Sequence, residues 1–180
     1  IESLPFEIQE VVGQVLDMAS EKAAARRIGI NVFTDTRIPR TVVGDAVILR
    51  HVLSLLLRDA VSFSRQHDVG LRVEMLSHQN NQVELKFVVS GSGSLPDDVV
   101  ALFSDSAAAM AELPPPFFDQ TREARLGRAF ALVRMMNGVC TIGSQAGEGS
   151  HISVVMRFDV AENRTIDQPR MSLAGLRVLL

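Results

Sequence analysis

The sequence has 180 residues, of which 47% are apolar and 22% charged, and this is enough for one domain with a hydrophobic core. The formal net charge of -3 argues against a general nucleic-acid-binding surface, and the absence of Trp and Tyr removes the usual base-stacking side chains. A single cysteine, Cys140, excludes an intrachain disulfide and a thiolate-rich metal site. No apolar run approaches the roughly 18 residues that a membrane-spanning helix needs.

The first part of the chain predicts a strand, a helix and a second strand. Phe6–Ile8 is expected to form a short strand, and apolar residues at helical spacing predict an amphipathic helix over residues 9–27. Gly29 ends this helix, and the alternation over Ile30–Phe33 predicts a strand. The following stretch, Thr36–Val43, contains Pro39 and is expected to be a loop or an edge segment.

A second helix is predicted over residues 46–65, with Asp45 as its N-cap. Apolar side chains occupy most of its positions and leave little polar face. We therefore expect this helix to be buried on most sides.

The second half of the chain predicts four strands and one further long helix. The strands are expected over residues 69–77, 82–90, Val139–Gly143 and His151–Asp159, and the helix over Leu126–Asn137. The polar stretch His78–Asn81 suits a hairpin turn. Pro96–Phe103 is expected to form a short helix, and residues 104–125, which carry little pattern, a lid.

This order of elements is β-α-β-α-β-β-lid-α-β-β. It predicts an α+β fold, a two-layer sandwich of a mixed β-sheet with about three helices on one face.

Several groups of residues, in this order and spacing, resemble the catalytic ATP-binding domain of sensor histidine kinases. They are Phe6-Glu7-Ile8, Gly44-Asp45, Leu49–Leu53, Leu56–Ser64, Ser90-Gly91-Ser92-Gly93, Met136-Asn137-Gly138 and Gly147–Ser150. The resemblance covers about residues 5–160. It implies the Bergerat fold of the GHKL (HATPase_c) ATPases, which gyrase and the Hsp90 chaperone share.

The resemblance also implies a domain organisation. Residues 1–5 would end a preceding dimerisation helix or linker, residues 6–160 would form the ATPase domain with its lid at about 104–125, and residues 161–175 would be a linker. Residues 176–180 look like the first strand of a receiver domain. The parent would then be a hybrid sensor kinase in the inner membrane with this domain in the cytoplasm. Its partners would be its own dimerisation and phosphoacceptor helices and its receiver.

The family's second helix carries an asparagine that holds Mg²⁺ against the triphosphate and, three residues later, a lysine that contacts phosphate. By alignment these positions fall on Asp59 and Ser62. Aspartate is a competent Mg²⁺ ligand, although it adds negative charge beside phosphate. The chain's two lysines, Lys22 and Lys86, lie outside this helix, so we expect no local substitute. The alternative interpretation is a plain core helix without a ligand.

The family's adenine-binding aspartate precedes a Gly-x-Gly loop, and here the aligned residue is Val89, followed by Ser90. Valine accepts no hydrogen bond from the adenine amino group, and losing a bond to a charged group costs roughly 1.5–3 kcal/mol. Gly91 and Gly93 of the loop remain. The alternative for these glycines is an ordinary turn.

The family's lid ends in a glycine-rich run at a helix start, where backbone amides approach the phosphates. In the corresponding stretch Gly127 alone remains, and Arg125 and Arg128 are the candidate anion contacts. A solvated helix start is the alternative. Within the lid, Phe117 and Phe118 form an apolar pair that either packs over the pocket or contacts a partner kinase.

Three parts of the nucleotide site are therefore altered, while the apolar core pattern is kept. This favours a degenerate, pseudokinase-like domain in two-component signalling that binds ATP weakly or not at all and needs no cofactor. It would act by conformational coupling or by binding another sensor kinase, as in orphan sensors of the RetS type. The alternative is an active domain that uses Mg-ATP to phosphorylate a histidine in the parent, with Asp59 on the metal and Arg125 or Arg128 on phosphate.

Overall fold

Three helices lie against one face of a seven-stranded sheet in the computed structural model, which describes residues 2–64, 68–93, 95, 100, 122–145 and 149–161. The helices are α1 (Ile8–Ala25), α2 (Ala46–Phe63) and α3 (Arg122–Met135). The strands are β1 (Leu4–Glu7), β2 (Ile30–Thr34), β3 (Thr41–Gly44), β4 (Val69–Gln79), β5 (Gln82–Gly91), β6 (Val139–Gln145) and β7 (Gly149–Val160). The predicted α+β class is confirmed.

The sheet has the strand order β1-β3-β7-β5-β4-β2, with β6 also paired to β7. β2 runs parallel to β4, and the other pairs are antiparallel, so the sheet is mixed as predicted. The expectation of a loop or edge segment over Thr36–Val43 was incomplete, because Thr41–Gly44 is a strand. Val42 of this strand is fully buried, and β3 bridges β1 and β7.

Alternation along the strands divides the sheet into a buried face and an open face. In β5 the residues Val83, Leu85, Phe87 and Val89 are buried, while Lys86 between them is only half-buried. β7 shows the same alternation in its second half. The buried side chains meet the apolar faces of the helices and form one continuous core.

Helix α2 lies between α1 and α3 and is the most apolar helix, as its sequence predicts. The Asp45 carboxylate accepts a hydrogen bond from the backbone N–H of Ile48 at 2.9 Å, which confirms the predicted N-cap. Both Leu53 and Leu56 are fully buried, on adjoining sides of the helix. Burial on this scale leaves little room for polar groups, so the buried Asp59 needs a specific partner.

Two chain reversals occur where the sequence predicts them. Asn80 and Asn81 have φ angles of 50° and 62° and form the tight hairpin between β4 and β5. Asn137, with a φ of 53°, ends the helical segment, and the Gly138 N–H donates to the Val133 carbonyl.

The third helix begins earlier than the apolar pattern indicates. It starts at Arg122 rather than Leu126, so Arg122–Arg125 form its first turn instead of the end of a loop. The rest of the predicted lid, residues 104–121 with Phe117 and Phe118, lies outside the described residues, as do most of Pro96–Phe103 and residues 162–180. None of the described helices is both long and apolar enough to cross a bilayer.

Candidate functional site

The carboxylate of Asp59 lies near the C-terminal end of α2, at the position where the resemblance implies a magnesium ligand. Its side chain is 2% exposed. Arg122 at the start of α3 donates from Nε to both carboxylate oxygens, at 3.2 and 2.9 Å, and a terminal nitrogen lies 2.9 Å from Oδ2. The contact therefore has the two-pronged geometry that guanidinium and carboxylate groups favour.

Arg122 also packs against an aromatic ring of α2. Its guanidinium carbon lies 4.0 Å from the centroid of the Phe63 ring, one turn along α2 from Asp59. Arg125 approaches from the next turn of α3, with a terminal nitrogen 3.5 Å from Asp59 Oδ1 and a looser approach to the same ring. One buried carboxylate and one aromatic ring of α2 thus hold the first turn of α3.

Burial dominates the electrostatics of this cluster. It raises the pKa of Asp59, and the hydrogen bonds and charges of Arg122 and Arg125 act in the opposite direction. In the described part of the chain, no buried side-chain nitrogen or oxygen lacks a hydrogen-bond partner. The lone pairs of Asp59 that would coordinate a metal are already engaged by guanidinium groups.

The resemblance places Ser62 where the family has a phosphate-contacting lysine, and a lysine side chain contacts this serine. The Lys22 ammonium of α1 donates to the Ser62 hydroxyl at 2.7 Å. Neither lysine lies on α2, as expected, but the fold brings the Lys22 ammonium of α1 to this position. Sequence alone gave no signal for this, since the contact spans 40 residues.

Val89 and Ser90 point to opposite faces of β5. Val89 is 2% exposed and belongs to the core beneath the helices. Ser90 is exposed and lines a groove of about 420 Å³ on the open face of the sheet, together with Gly70 and Lys86. The structure therefore places an apolar side chain where the resemblance implies an adenine acceptor, and it directs Ser90 away from the helices.

Gly91 ends β5 and Gly93 follows it, and close packing against the end of α2 requires both glycines. A Cβ on Gly93 would lie 2.3 Å from the carbonyl oxygen of Phe63, and one on Gly91 would lie 2.9 Å from the hydroxyl of Ser64. The Ser64 hydroxyl also accepts a hydrogen bond from the Ser92 N–H. These contacts explain both glycines without a ligand.

The remaining predicted residues lie on α3 or outside the described chain. Gly127 is buried in the second turn of α3, and Arg128 follows it as a half-buried residue. Arg125 lies beside Asp59, as described above. Phe117 and Phe118 lie outside the described residues.

No protein-family model matches the chain. Its sequence is 26% identical over 184 residues to the sensor histidine kinase GacS of Pseudomonas protegens, and the match covers 99% of this chain and 19% of that protein. It is 23% identical over 185 residues to the signal transduction histidine-protein kinase BarA of Escherichia coli K12, covering 99% of this chain and 20% of that protein. The chain thus spans about a fifth of the length of these relatives.

The solved structures with a similar fold also come from histidine kinases. Full-length ShkA in complex with AMPPNP matches with a TM-score of 0.65 and 24% identity over 89% of this chain and 32% of that chain. The chain has the histidine kinase ATP-binding fold. The nucleotide-free catalytic domain of the histidine kinase ThkA matches with a TM-score of 0.59 and 15% identity, covering 89% of this chain and 97% of that one. The resemblance to this GHKL-type domain is confirmed.

The residues that the resemblance assigns to the nucleotide site do not fit Mg-ATP in this arrangement. Asp59 is held by two guanidinium groups and is inaccessible, so a magnesium ion would have to displace both arginines. Val89 offers no acceptor to an adenine amino group.

Sequence reasoning missed Arg122, which forms the two-pronged contact with the Asp59 carboxylate. A signal was present, because three arginines in seven residues, Arg122, Arg125 and Arg128, flank a helix start. Their connection to an aspartate more than 60 residues earlier required the fold.

Proposed function

We propose that this chain is a degenerate ATP-binding domain of a hybrid sensor histidine kinase, in which an internal ion pair replaces magnesium and its nucleotide. The observation that carries the proposal is the buried contact of Asp59 with Arg122 and Arg125. In an active domain of this fold the metal position must be open to Mg²⁺. Here the protein's own cations neutralise it, so the domain would keep its shape without a ligand.

The adenine position supports the same proposal. Val89 is packed into the core, and an adenine amino group placed there would lose its hydrogen bond. Together with the occupied Asp59, this would lower the affinity for ATP by two to four decades, if roughly 3–6 kcal/mol is lost in total.

The domain would then act through its shape. It would couple the conformations of the parent's dimerisation helices and receiver, or it would bind another sensor kinase. The Phe117 and Phe118 pair stays our proposed contact for such a kinase. Replacing both residues by Ser should weaken the complex, and unchanged binding would exclude this contact.

An active kinase domain is the second candidate, and the contact between Lys22 and Ser62 favours it. Lys22 brings a positive charge to the position at which a lysine contacts phosphate in the family. In that case Mg²⁺ would have to draw Asp59 away from Arg122, and Arg125 or Arg128 would hold phosphate.

Incubating the full-length parent protein with Mg²⁺ and γ-labelled ATP distinguishes the two candidates. We expect no label on any histidine of the parent, under conditions in which the P. protegens relative GacS becomes labelled. Labelling that disappears in the Asp59→Ala variant would overturn the proposal and establish an active site at this aspartate.

A further inference from the structure

Strand β2 lies at one end of the sheet, and its outer side is open in the described part of the chain, where β4 is its pairing partner. The Val69 N–H donates to the Gly29 carbonyl at 2.9 Å. At the other end of β2 the Asp35 N–H donates to the Val73 carbonyl, also at 2.9 Å. Because a strand in a parallel pair turns alternate residues toward its neighbour, these two bonds direct the backbone of Val32 outward. The N–H and carbonyl of Val32 are therefore placed to pair with an added strand.

The sequence of β2 does not protect this edge. Edge strands are usually blunted by charged residues, proline or a bulge, which prevents further pairing. Strand β1, at the opposite end of the sheet, contains Pro5 and Glu7. Strand β2 contains neither a charged residue nor a proline, and both Val32 and Phe33 are exposed. This combination is typical of a strand that accepts another strand from outside.

The groove of about 420 Å³ on the open face of the sheet borders this edge. Asn31, Gly70 and Ser90 lie side by side on β2, β4 and β5 and line it with short side chains. The Asn31 amide is held in place by the Asp68 carboxylate at 3.1 Å. Because successive side chains of a strand point to opposite faces, every second residue of an added strand would lie on the groove side.

The charges at the groove select the kind of strand that fits. Two cations, Arg72 and Lys86, line it together with the carboxylate of Glu74, which gives one net positive charge in a chain of net charge -3. The Arg72 side chain leans toward the outer edge, since its guanidinium carbon lies 5.7 Å from the centroid of the Phe33 ring. Its contact with Glu74 is loose, at 3.4 Å. An acidic side chain on the added strand would therefore meet Arg72 beside Phe33.

A second copy of this chain fits the edge less well. On the open face β2 presents Asn31 and Phe33, which carry no charge. Pairing of two β2 strands would bring no carboxylate to Arg72. The charges thus favour a different protein over self-association.

We propose that the outer edge of β2 and the adjoining groove bind an extended segment of a partner protein by strand addition, and that this segment alternates acidic with apolar residues. Backbone hydrogen bonds to Val32 hold the segment, Arg72 contacts a carboxylate, and Lys86 adds to the positive potential of the groove. The surface lies on the other side of the sheet from α2 and Asp59. It is therefore independent of whether magnesium binds at Asp59.

Binding of a dye-labelled peptide of alternating valine and glutamate, followed by fluorescence anisotropy, tests the proposal. We expect saturable binding that weakens as salt is added. Val32→Pro should weaken binding by about tenfold, because proline removes the outward N–H without removing a bond to β4. Arg72→Ala should weaken it by about three- to fivefold, the scale of one exposed ion pair.

Two controls are matched to these variants. Arg157 also lies exposed on the open face in contact with a glutamate, Glu84 of β5, so Arg157→Ala should leave peptide binding unchanged. The same peptide with lysine in place of glutamate should not bind. Thermal melts establish that each variant is folded, and Arg72→Ala keeps the test valid if Val32→Pro destabilises the sheet.

The other outcomes overturn the proposal in recognisable ways. Absence of saturable binding at about 1 mM of the glutamate peptide, or equal binding of the lysine peptide, would contradict it. Equal losses in Arg72→Ala and Arg157→Ala would exclude the groove as the contact. Unchanged binding in a folded Val32→Pro variant would exclude strand addition. Dimerisation that Val32→Pro abolishes, without peptide binding, would identify a second copy as the occupant instead.

Discussion

The Arg122 guanidinium and the Asp59 carboxylate form a buried ion pair that joins α3 to α2, with side-chain exposures of 9% and 2%. Their closest nitrogen–oxygen distance is 2.9 Å. The resemblance implies a magnesium ligand at this position, so in our proposal an internal contact takes the place of an external ligand. The pair also depends on the early start of α3, because Arg122 is the first residue of that helix.

Breaking this pair should be costly. Arg122→Ala leaves Asp59 buried without its main partner, and we expect a loss of about 3–5 kcal/mol in the free energy of unfolding. Arg157→Ala is the matched control, because its nitrogen also lies 2.9 Å from a carboxylate, that of Glu84, but on the exposed surface. There the loss should stay below about 1 kcal/mol. Urea denaturation measures both, and similar losses in the two variants would contradict the structural role of Arg122.

The loop that follows β5 passes close to the end of α2, and this contact predicts the effects of two glycine substitutions on stability. Gly93→Ala should destabilise the fold, because its Cβ would lie 2.3 Å from the Phe63 carbonyl oxygen and the loop must move. Gly13→Ala is the opposite case, since nothing lies within 4 Å of the added carbon in the interior of α1. It should stabilise the protein by roughly 0.5–1 kcal/mol. Thermal melts that rank the two variants in the reverse order would refute this packing.

The N-cap residue Asp45 should make the stability of the folded protein depend on pH. The hydrogen bond from Ile48, helped by one from Glu2, holds the pKa of Asp45 below its usual range. A depressed pKa in the folded state adds stability that is present above the unfolded pKa of about 4 and is lost as pH falls through the folded value. Asp45→Asn keeps a capping oxygen without the charge, so the wild type should be more stable than this variant at pH 6 and lose that advantage towards pH 2. A stability difference between wild type and variant that stays constant from pH 6 to pH 2 would contradict this prediction.

Most helices, strands and turns could be predicted from the sequence because short segments with a clear local pattern form them. The cap at Asp45, the turn at Asn80 and Asn81 and the helix end at Asn137 all follow from the properties of short segments. Strand β3 was missed because Thr41–Gly44 is short and follows a proline. The start of α3 was missed because arginines lie where an apolar pattern would mark a buried helix.

The candidate site was less predictable for a different reason. Alignment identified the positions Asp59, Ser62 and Val89, but their chemistry depends on residues brought in from elsewhere. Arg122 reaches Asp59 across 63 residues, and Lys22 reaches Ser62 across 40. Such contacts are set by how the helices pack, which no local pattern encodes.

The single cysteine should be unreactive in the folded protein. Burial raises the pKa of the Cys140 thiol to about 12, which leaves very little thiolate near neutral pH. Reaction with a disulfide reagent at pH 8 should be slower than in the urea-unfolded chain by on the order of 10³-fold. Equal rates in the folded and unfolded states would show that the thiol is accessible.

Calorimetric titration of Mg-ATP into the chain tests the central claim most directly, with a thermal melt as a second readout. If the contact between Asp59 and Arg122 replaces the magnesium nucleotide, millimolar Mg-ATP gives no saturable heat and leaves the melting temperature unchanged. A ligand at a hundred times its dissociation constant would add about 2.7 kcal/mol of stability, which a melt detects easily. Saturable binding at micromolar Mg-ATP, lost in the Asp59→Ala variant, would contradict the account.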